Sequence, residues 1–157
     1  MYGIEVESVY LLTPNDRFDF SGSLLSAEHE EFVIPSSGLD LSGEPLPNAP
    51  GLSISAGYRR TFDLANGGSL DAQLRTRYEA SQWVDYRLSP GSFQEGFWRH
   101  SASLTYTSPD SRWTMSAWIK NITNDDAIMT AINGLGPYQL AYPYAPRTFG
   151  LRTAVNF

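Results

Sequence analysis

The 157-residue sequence contains no cysteine and only two histidines. Without thiols it can form neither a disulfide framework nor a thiolate metal site, although this leaves the redox compartment open. Long hydrophobic runs are also missing: no window approaches about 18 consecutive apolar residues, which excludes a transmembrane helix. If the chain crosses a bilayer, it must therefore do so with strands.

Basic residues are scarce as well. The 11 Lys and Arg residues are scattered among 17 Asp and Glu residues, and the formal net charge is -6. Binding to nucleic acid requires clustered Lys and Arg to neutralise phosphates. We therefore predict no nucleic-acid partner.

Aromatic residues, in contrast, are abundant. They make up 13% of the chain, against 18% charged residues, and include nine Tyr and four Trp. Tyr and Trp favour surfaces where a ring is apolar on one side and wet on the other. The composition therefore indicates an interfacial surface.

Apolar and polar residues alternate with period two between turn signals, and helical spacing is rare. This pattern predicts about seven strands of roughly ten residues, a length that crosses a bilayer at a tilt. We expect an all-β fold, an antiparallel up-and-down meander of long strands that forms part of a larger transmembrane β-barrel. The predicted strands cover residues 4–10, 18–27, 52–62, 70–78, 102–106, 113–119 and 149–157.

The connections between these strands alternate in length. Tight turns rich in Pro, Asn, Asp and Gly lie at 13–17, 65–68 and 108–111, and long segments lie at 28–50, 84–97 and 125–145. Barrels of the outer membrane have short periplasmic turns and longer extracellular loops. The alternation therefore favours strands that run up and down through a membrane.

Aromatic residues flank both kinds of connection, which predicts a girdle at each end of the strands. Beside the short turns lie Tyr10, Phe18, Phe62, Tyr106 and Trp113, with Phe157 at the strand end that would join them, and beside the long segments lie Trp83, Tyr86, Phe97, Trp98, Tyr144 and Phe149. The alternative interpretation is that these rings fill the core of a soluble β-sandwich.

Three ordered motifs carry a family resemblance. Residues 43–50 read GEPLPNAP, residues 118–125 read WIKNITND, and residues 144–151 read YAPRTFGL. They resemble the G-x-x-L-P-x-A-P, N-L-T/F-D and P-R-x-x-G motifs near the end of TonB-dependent receptors, with Asn124 departing from the second pattern. The residues that match are Leu46, Pro47 and Pro50, then Asn121, Ile122, Thr123 and Asp125, and finally Pro146, Arg147 and Gly150.

The last strand also resembles a known signal. Phe149, Leu151, Thr153, Val155 and Phe157 form one alternating set that ends in an aromatic residue. This set is similar to the signal by which outer-membrane barrels are recognised by the barrel assembly machinery. The alternative is an ordinary edge strand.

The resemblance implies that residues 1–157 are the C-terminal portion of a receptor barrel in the outer membrane of a Gram-negative bacterium. The intact protein would import a scarce ligand such as an iron-siderophore complex, a cobalamin or an oligosaccharide. Its partners would be outer-membrane lipid, the rest of the barrel and its plug, and the TonB complex, which would act through an N-terminal part that is absent here. Because about seven strands cannot close a bacterial barrel and no plug or export signal is visible, we expect a fragment.

No catalytic constellation is visible in the sequence. His29-Glu30-Glu31 begins like a zinc-protease motif, but Val33 stands where the second histidine ligand belongs. We therefore predict no enzymatic activity, no cofactor and no metal site. Two other functions remain open, a secreted carbohydrate-binding β-sandwich and a passive porin-like channel.

Overall fold

A computed structural model describes residues 1–135 and 138–156, and within them it contains thirteen strands and no helix. Accordingly, these residues include no helix long and apolar enough to span a membrane. In chain order the strands are β1 (Tyr2–Thr13), β2 (Asp16–Ser26), β3 (Val33–Ile34), β4 (Leu39–Asp40), β5 (Leu52–Asp63), β6 (Ser69–Glu79), β7 (Gln82–Trp83), β8 (Phe93–Gln94), β9 (Phe97–Thr107), β10 (Trp113–Lys120), β11 (Ile128–Leu135), β12 (Tyr138–Pro143) and β13 (Thr148–Val155).

The seven long strands form one sheet in the order β1-β2-β5-β6-β9-β10-β13, and every neighbouring pair is antiparallel. These strands contain 8 to 12 residues each. The predicted all-β meander of seven long strands is therefore confirmed. The strand bounds differ from the predicted ones by one to three residues at most ends, and the largest difference is at β9, which begins at Phe97, within a segment predicted as a loop; β13 ends at Val155. The predicted end of that strand, Phe157, lies outside the described residues.

The connections follow the predicted alternation. The hairpins β1-β2, β5-β6 and β9-β10 close through short turns at one end of the sheet, which we call the short-turn end. The long connections lie at the opposite end, the long-loop end, and contain the small hairpins β3-β4, β7-β8 and β11-β12. The turn at the β9-β10 hairpin is closed by a hydrogen bond from the Ser108 amide to the Trp113 carbonyl, with an N···O distance of 2.9 Å.

The best-buried residues lie near the long-loop end. Val84, in the connection after β7, is only 2% exposed, and Ala131 of β11 is 4% exposed. The Ala131 amide donates to the Val84 carbonyl at 3.2 Å, and the Ile128 amide donates to the Gln94 side chain at 2.7 Å. The second and third long connections therefore pack against each other.

The sheet itself has no such core. Besides the seven-stranded sheet, the described residues contain only two-stranded sheets, none of which could be the second layer of a sandwich. Apolar side chains in the middle of the strands remain exposed, with Leu74 at 52%, Leu104 at 45% and Leu151 at 86% exposure. The β-sandwich alternative is therefore wrong for this part of the chain, since a sandwich buries such side chains between two sheets.

Candidate functional surfaces

The strand registers place the apolar sets of neighbouring strands on one side of the sheet, which we call the apolar face. Residues that pair directly across antiparallel strands share a face. Tyr58, for example, pairs with Phe18 on one side and Leu74 on the other. The face includes Ile4, Val6, Tyr10, Phe18, Leu24, Leu52, Ile54, Tyr58, Phe62, Leu70, Leu74, Tyr78, Trp98, Leu104, Tyr106, Met115, Ile119, Phe149, Leu151 and Val155.

The opposite side, the polar face, carries a ladder of ion pairs across β2, β5 and β6. Arg59 contacts Asp71 at 3.0 Å, and Arg75 contacts Asp19 at 3.4 Å. Thr61 also donates its hydroxyl hydrogen to Asp71. Exposed pairs of this kind add little stability, so the ladder mainly makes the face hydrophilic.

A buried carboxylate anchors a cluster at the long-loop end of the polar face. Glu79 is 5% exposed and contacts Arg77 at 2.8 Å and Arg99 at 3.3 Å, while the Gln82 side chain donates to it at 3.2 Å. The Arg99 guanidinium carbon lies 4.0 Å from the ring centroid of Tyr144. Two cations and an amide therefore compensate one buried negative charge.

Phe97 and Tyr144 belong to this cluster and not to an aromatic girdle. Phe97 is 4% exposed, pairs with Glu79 on the polar face, and lies 5.6 Å from Tyr144 between ring centroids. Their placement in the predicted girdle at the long loops is therefore wrong. Trp83 also lies elsewhere, packed edge-on against Phe93 in the β7-β8 hairpin.

Aromatic residues nevertheless mark the apolar face at both ends. At the long-loop end the ring centroids of Tyr78 and Trp98 are 4.9 Å apart, and Trp98 stacks on His100 at 5.9 Å. His100 Nδ1 also lies 2.8 Å from the Thr76 hydroxyl. At the short-turn end the same face carries Tyr10, Phe18, Tyr58, Phe62, Tyr106 and Trp113. Both sets lie where interfacial aromatics sit in membrane barrels.

Two of the three motif segments meet at the long-loop end. Asn121 adopts a positive φ of 50°, and its side-chain amide donates to the carbonyls of Asp125 at 2.8 Å and Ala145 at 3.1 Å. The Asp125 amide donates back to Asn121 Oδ1 at 3.0 Å. The Arg147 amide donates to Asn124 Oδ1 at 3.0 Å, so the turn after β10 is bonded to the start of β13.

The remaining members of these two motifs lie in the same junction. Arg147 donates a side-chain hydrogen bond to the Ile122 carbonyl at 3.5 Å. Thr123 lies in the turn itself, and Pro146 precedes β13. Gly150 lies inside β13, paired with Trp118 of β10.

The first motif lies elsewhere at the long-loop end. The Leu46 amide donates to the Ala27 carbonyl and the Asn48 amide donates to the Trp83 carbonyl, at 2.9 and 2.8 Å. Pro47 and Pro50 flank this contact, and β5 then begins at Leu52. In the sheet, β6, β9 and β10 separate β5 from β13, so this motif is not brought together with the other two.

Four described members of the set predicted as an insertion signal lie on β13, the outermost strand at one edge of the sheet. Phe149, Leu151, Thr153 and Val155 all pair with apolar-face residues of β10. Phe149 is 78% exposed and Leu151 is 86% exposed.

The comparisons with known proteins fit this architecture. The family model described as TonB dependent receptor-like, beta-barrel matches residues 1–122. The ferric yersiniabactin uptake receptor FyuA from Yersinia pestis is similar in structure, with a TM-score of 0.81 and 17% identity over 99% of this chain and 23% of that chain. The siderophore receptor PiuA from Acinetobacter baumannii has a TM-score of 0.69 and 14% identity over 96% of this chain and 21% of that chain.

These structural likenesses, at 17% and 14% identity, show the fold alone. The chain covers 23% and 21% of the length of the two receptors. No curated protein matches it. The family match extends over most of the chain and agrees with the observed sheet. The chain belongs to the TonB-dependent receptor-like β-barrel family.

Proposed function

We propose that residues 1–157 form the C-terminal part of the barrel of an outer-membrane receptor that imports an iron-siderophore complex in a TonB-dependent manner. The observation that carries this proposal is the contrast between the two faces of a single uncovered sheet. Apolar side chains are exposed along one face, and ion pairs run along the other. A wall between lipid and a hydrated lumen needs this contrast.

The edges of the sheet support the same proposal. Among the described residues, β1 and β13 each have a neighbour on one side only. A strand edge inside a bilayer leaves backbone N–H and C=O groups without partners, and each unsatisfied group costs several kcal/mol. In the intact protein both edges would therefore pair with further barrel strands around a plug.

Iron-siderophore complexes are preferred over cobalamin and oligosaccharides because one structural neighbour is named as a siderophore receptor and the other as a ferric yersiniabactin uptake receptor. Ligand contacts would come from the long-loop end, from the segments 28–50, 84–97 and 125–145. The Arg99–Tyr144 pair lies there on the polar face.

The proposal is tested by deleting the gene and measuring uptake of ferric siderophores with and without a functional TonB complex. We expect uptake to require both the gene and TonB, and the protein to fractionate with the outer membrane. Uptake that needs the gene but not TonB would indicate the passive channel. A protein that remains monomeric in water without detergent would contradict the membrane assignment.

The set Phe149, Leu151, Thr153, Val155 and Phe157 is proposed as the insertion signal. Replacing Phe157 by Ser is expected to lower the amount of full-length protein in the outer membrane, because it removes the terminal aromatic. Thr153→Val, which keeps the alternation and the terminal ring, is the matched control. Unchanged membrane levels of the Phe157 variant would contradict the signal.

A further inference from the structure

Two adjacent arginines lie on opposite faces of β5. Arg59 pairs with Arg17 and Gln73 on the polar face, and its ion pair with Asp71 belongs to the ladder there. Arg60 pairs with Asp16 and Ala72 and therefore lies on the apolar face. A guanidinium on the lipid-facing side of a barrel is costly at the bilayer midplane, so its position requires an explanation.

The Arg60 side chain is held in place by two contacts. Nη1 donates to Asp16 at 3.3 Å, and the guanidinium carbon lies 5.1 Å from the Phe62 ring centroid. The Asp16 carboxylate is nearly buried and also accepts hydrogen bonds from the hydroxyls of Thr13 and Tyr58. Three donors thus share one carboxylate.

The guanidinium retains capacity for a second anion. It has five N–H donors in a fixed plane, and the hydrogen bond to Asp16 uses one of them. The Arg60 side chain is 49% exposed, although its partner Asp16 is only 7% exposed. The geometry therefore presents the remaining N–H groups at the surface of the apolar face.

The depth of Arg60 matches that of a lipid headgroup. Arg60 lies three residues before the end of β5 at Asp63, which corresponds to about 10 Å along the strand and less along the membrane normal because barrel strands tilt. Tyr58 and Phe62 flank it on the same face, in the aromatic set at the short-turn end. Arginine near a membrane boundary extends its head group toward the interface.

We propose that Arg60, oriented by Asp16 and Phe62, binds the phosphate diester of a phospholipid in the leaflet at the short-turn end. Arginine forms bidentate charge-assisted hydrogen bonds with phosphate, and these are stronger where water is partly excluded. The lipid chains would extend toward the bilayer midplane along apolar residues farther from the short-turn end, such as Ile54 and Leu74. The inference relies on the proposed function only for the contact of the apolar face with lipid.

The test is a titration of the full-length protein in detergent micelles with phosphatidylglycerol, with bound lipid counted by native mass spectrometry. Arg60→Gln is expected to lower the affinity for the tightest-bound lipid by on the order of tenfold, because charge-assisted hydrogen bonds are lost. Arg59→Gln is the matched control: it makes the same change at the adjacent residue, which is 52% exposed and also in one ion pair, but on the polar face. It should leave lipid retention unchanged.

Two further measurements test whether Arg60 binds the phosphate of a lipid and not the lipid chains or a free phosphate ester. Diacylglycerol, which lacks the phosphate, should be retained equally by the wild type and Arg60→Gln, and soluble glycerol phosphate should not displace the lipid. Should Arg60→Gln fail to fold, Arg60→Lys decides, because it keeps the charge but loses the bidentate geometry and should bind with intermediate strength. Equal retention by wild type and the Arg60 variants, or an equal loss in Arg59→Gln, would overturn the site. Failure of TonB-dependent uptake with Arg60-dependent lipid binding intact would contradict only the proposed function.

Discussion

Trp118 of β10 lies over Gly150 of β13 on the polar face. A β-carbon on Gly150 would come within 2.7 Å of Trp118 Cζ2, closer than atoms normally approach. The glycine of the third motif thus makes room for an aromatic ring on the neighbouring strand, which is the close approach that glycine permits within a strand.

We expect Gly150→Ala to destabilise the full-length protein by about 1–3 kcal/mol, the usual cost of overpacking. Urea unfolding in micelles measures the change. Gly51→Ala is the control, because its added carbon would lie at an ordinary van der Waals distance, 3.7 Å from the Leu25 carbonyl oxygen. In a Trp118→Ala background the cost should nearly vanish. The same cost with and without the Trp118 ring would show that the close approach does not matter.

Asn121 fixes the turn after β10 through both its backbone and its side chain. Asn121→Ala removes three hydrogen bonds and puts alanine at a positive φ that asparagine tolerates better, so we expect a loss of about 2–4 kcal/mol. Asn121→Gly also removes the hydrogen bonds, but glycine adopts a positive φ without strain, so this variant should lose less stability than Asn121→Ala. Thermal unfolding in detergent measures both. If Gly and Ala are equally damaging, backbone strain contributes nothing at this position.

Glu79 is expected to be more important for stability than the other carboxylates of the polar face. Glu79→Gln removes the carboxylate that Arg77 and Arg99 share, and because these arginines are 53% and 31% exposed the cost should be about 2 kcal/mol, below that of a fully buried pair. Asp71→Asn is the matched control, since Arg59 is 52% exposed and can be solvated; its cost should stay below about 1 kcal/mol. If the urea midpoints shift equally in the two variants, the prediction that burial makes Glu79 more important for stability is contradicted.

The features that the sequence predicted well are those that depend on residues near each other in the chain. The turn at Asn66-Gly67-Gly68 follows from local composition, and the alternation from Leu70 to Tyr78 identifies β6 and its apolar side. The structure confirms both, together with the sheet that such elements form. The β-sandwich alternative could not be rejected from the sequence, because that decision depends on what covers the apolar face, which only the assembled sheet shows.

The features that the sequence could not predict depend on strand register. Phe97 stands one position before Trp98, so a shift of one residue decides which ring lies on which face. The cluster around Glu79 forms because Phe97 pairs with Glu79 and Arg99 pairs with Arg77, a match across a long loop that no local pattern specifies. The Arg77-x-Glu79 spacing within β6 was the one available signal, because residues two apart share a face.

The last prediction concerns the turn between β9 and β10. The Ser108 hydroxyl, 2.6 Å from Asp110 Oδ1, and then the Arg112 amide hold the pKa of the Asp110 carboxyl below its usual value of 3.8. The folded protein therefore favours the ionised carboxylate more than the unfolded chain does. The stability from this turn should be complete above pH 3.8 and should be lost as the pH falls through the lowered folded pKa.

Comparing wild type with Asp110→Asn across this range tests the turn. The difference in unfolding midpoint between the two proteins should be constant near neutral pH and should shrink toward acid, because the wild-type carboxyl then also becomes neutral. Ser108→Ala removes the hydrogen bond that contributes most to the lowered pKa of Asp110. In that variant the loss of stability that accompanies protonation of Asp110 should occur at a higher pH. A difference that stays constant down to the most acid pH would show that the charge on Asp110 does not stabilise the turn.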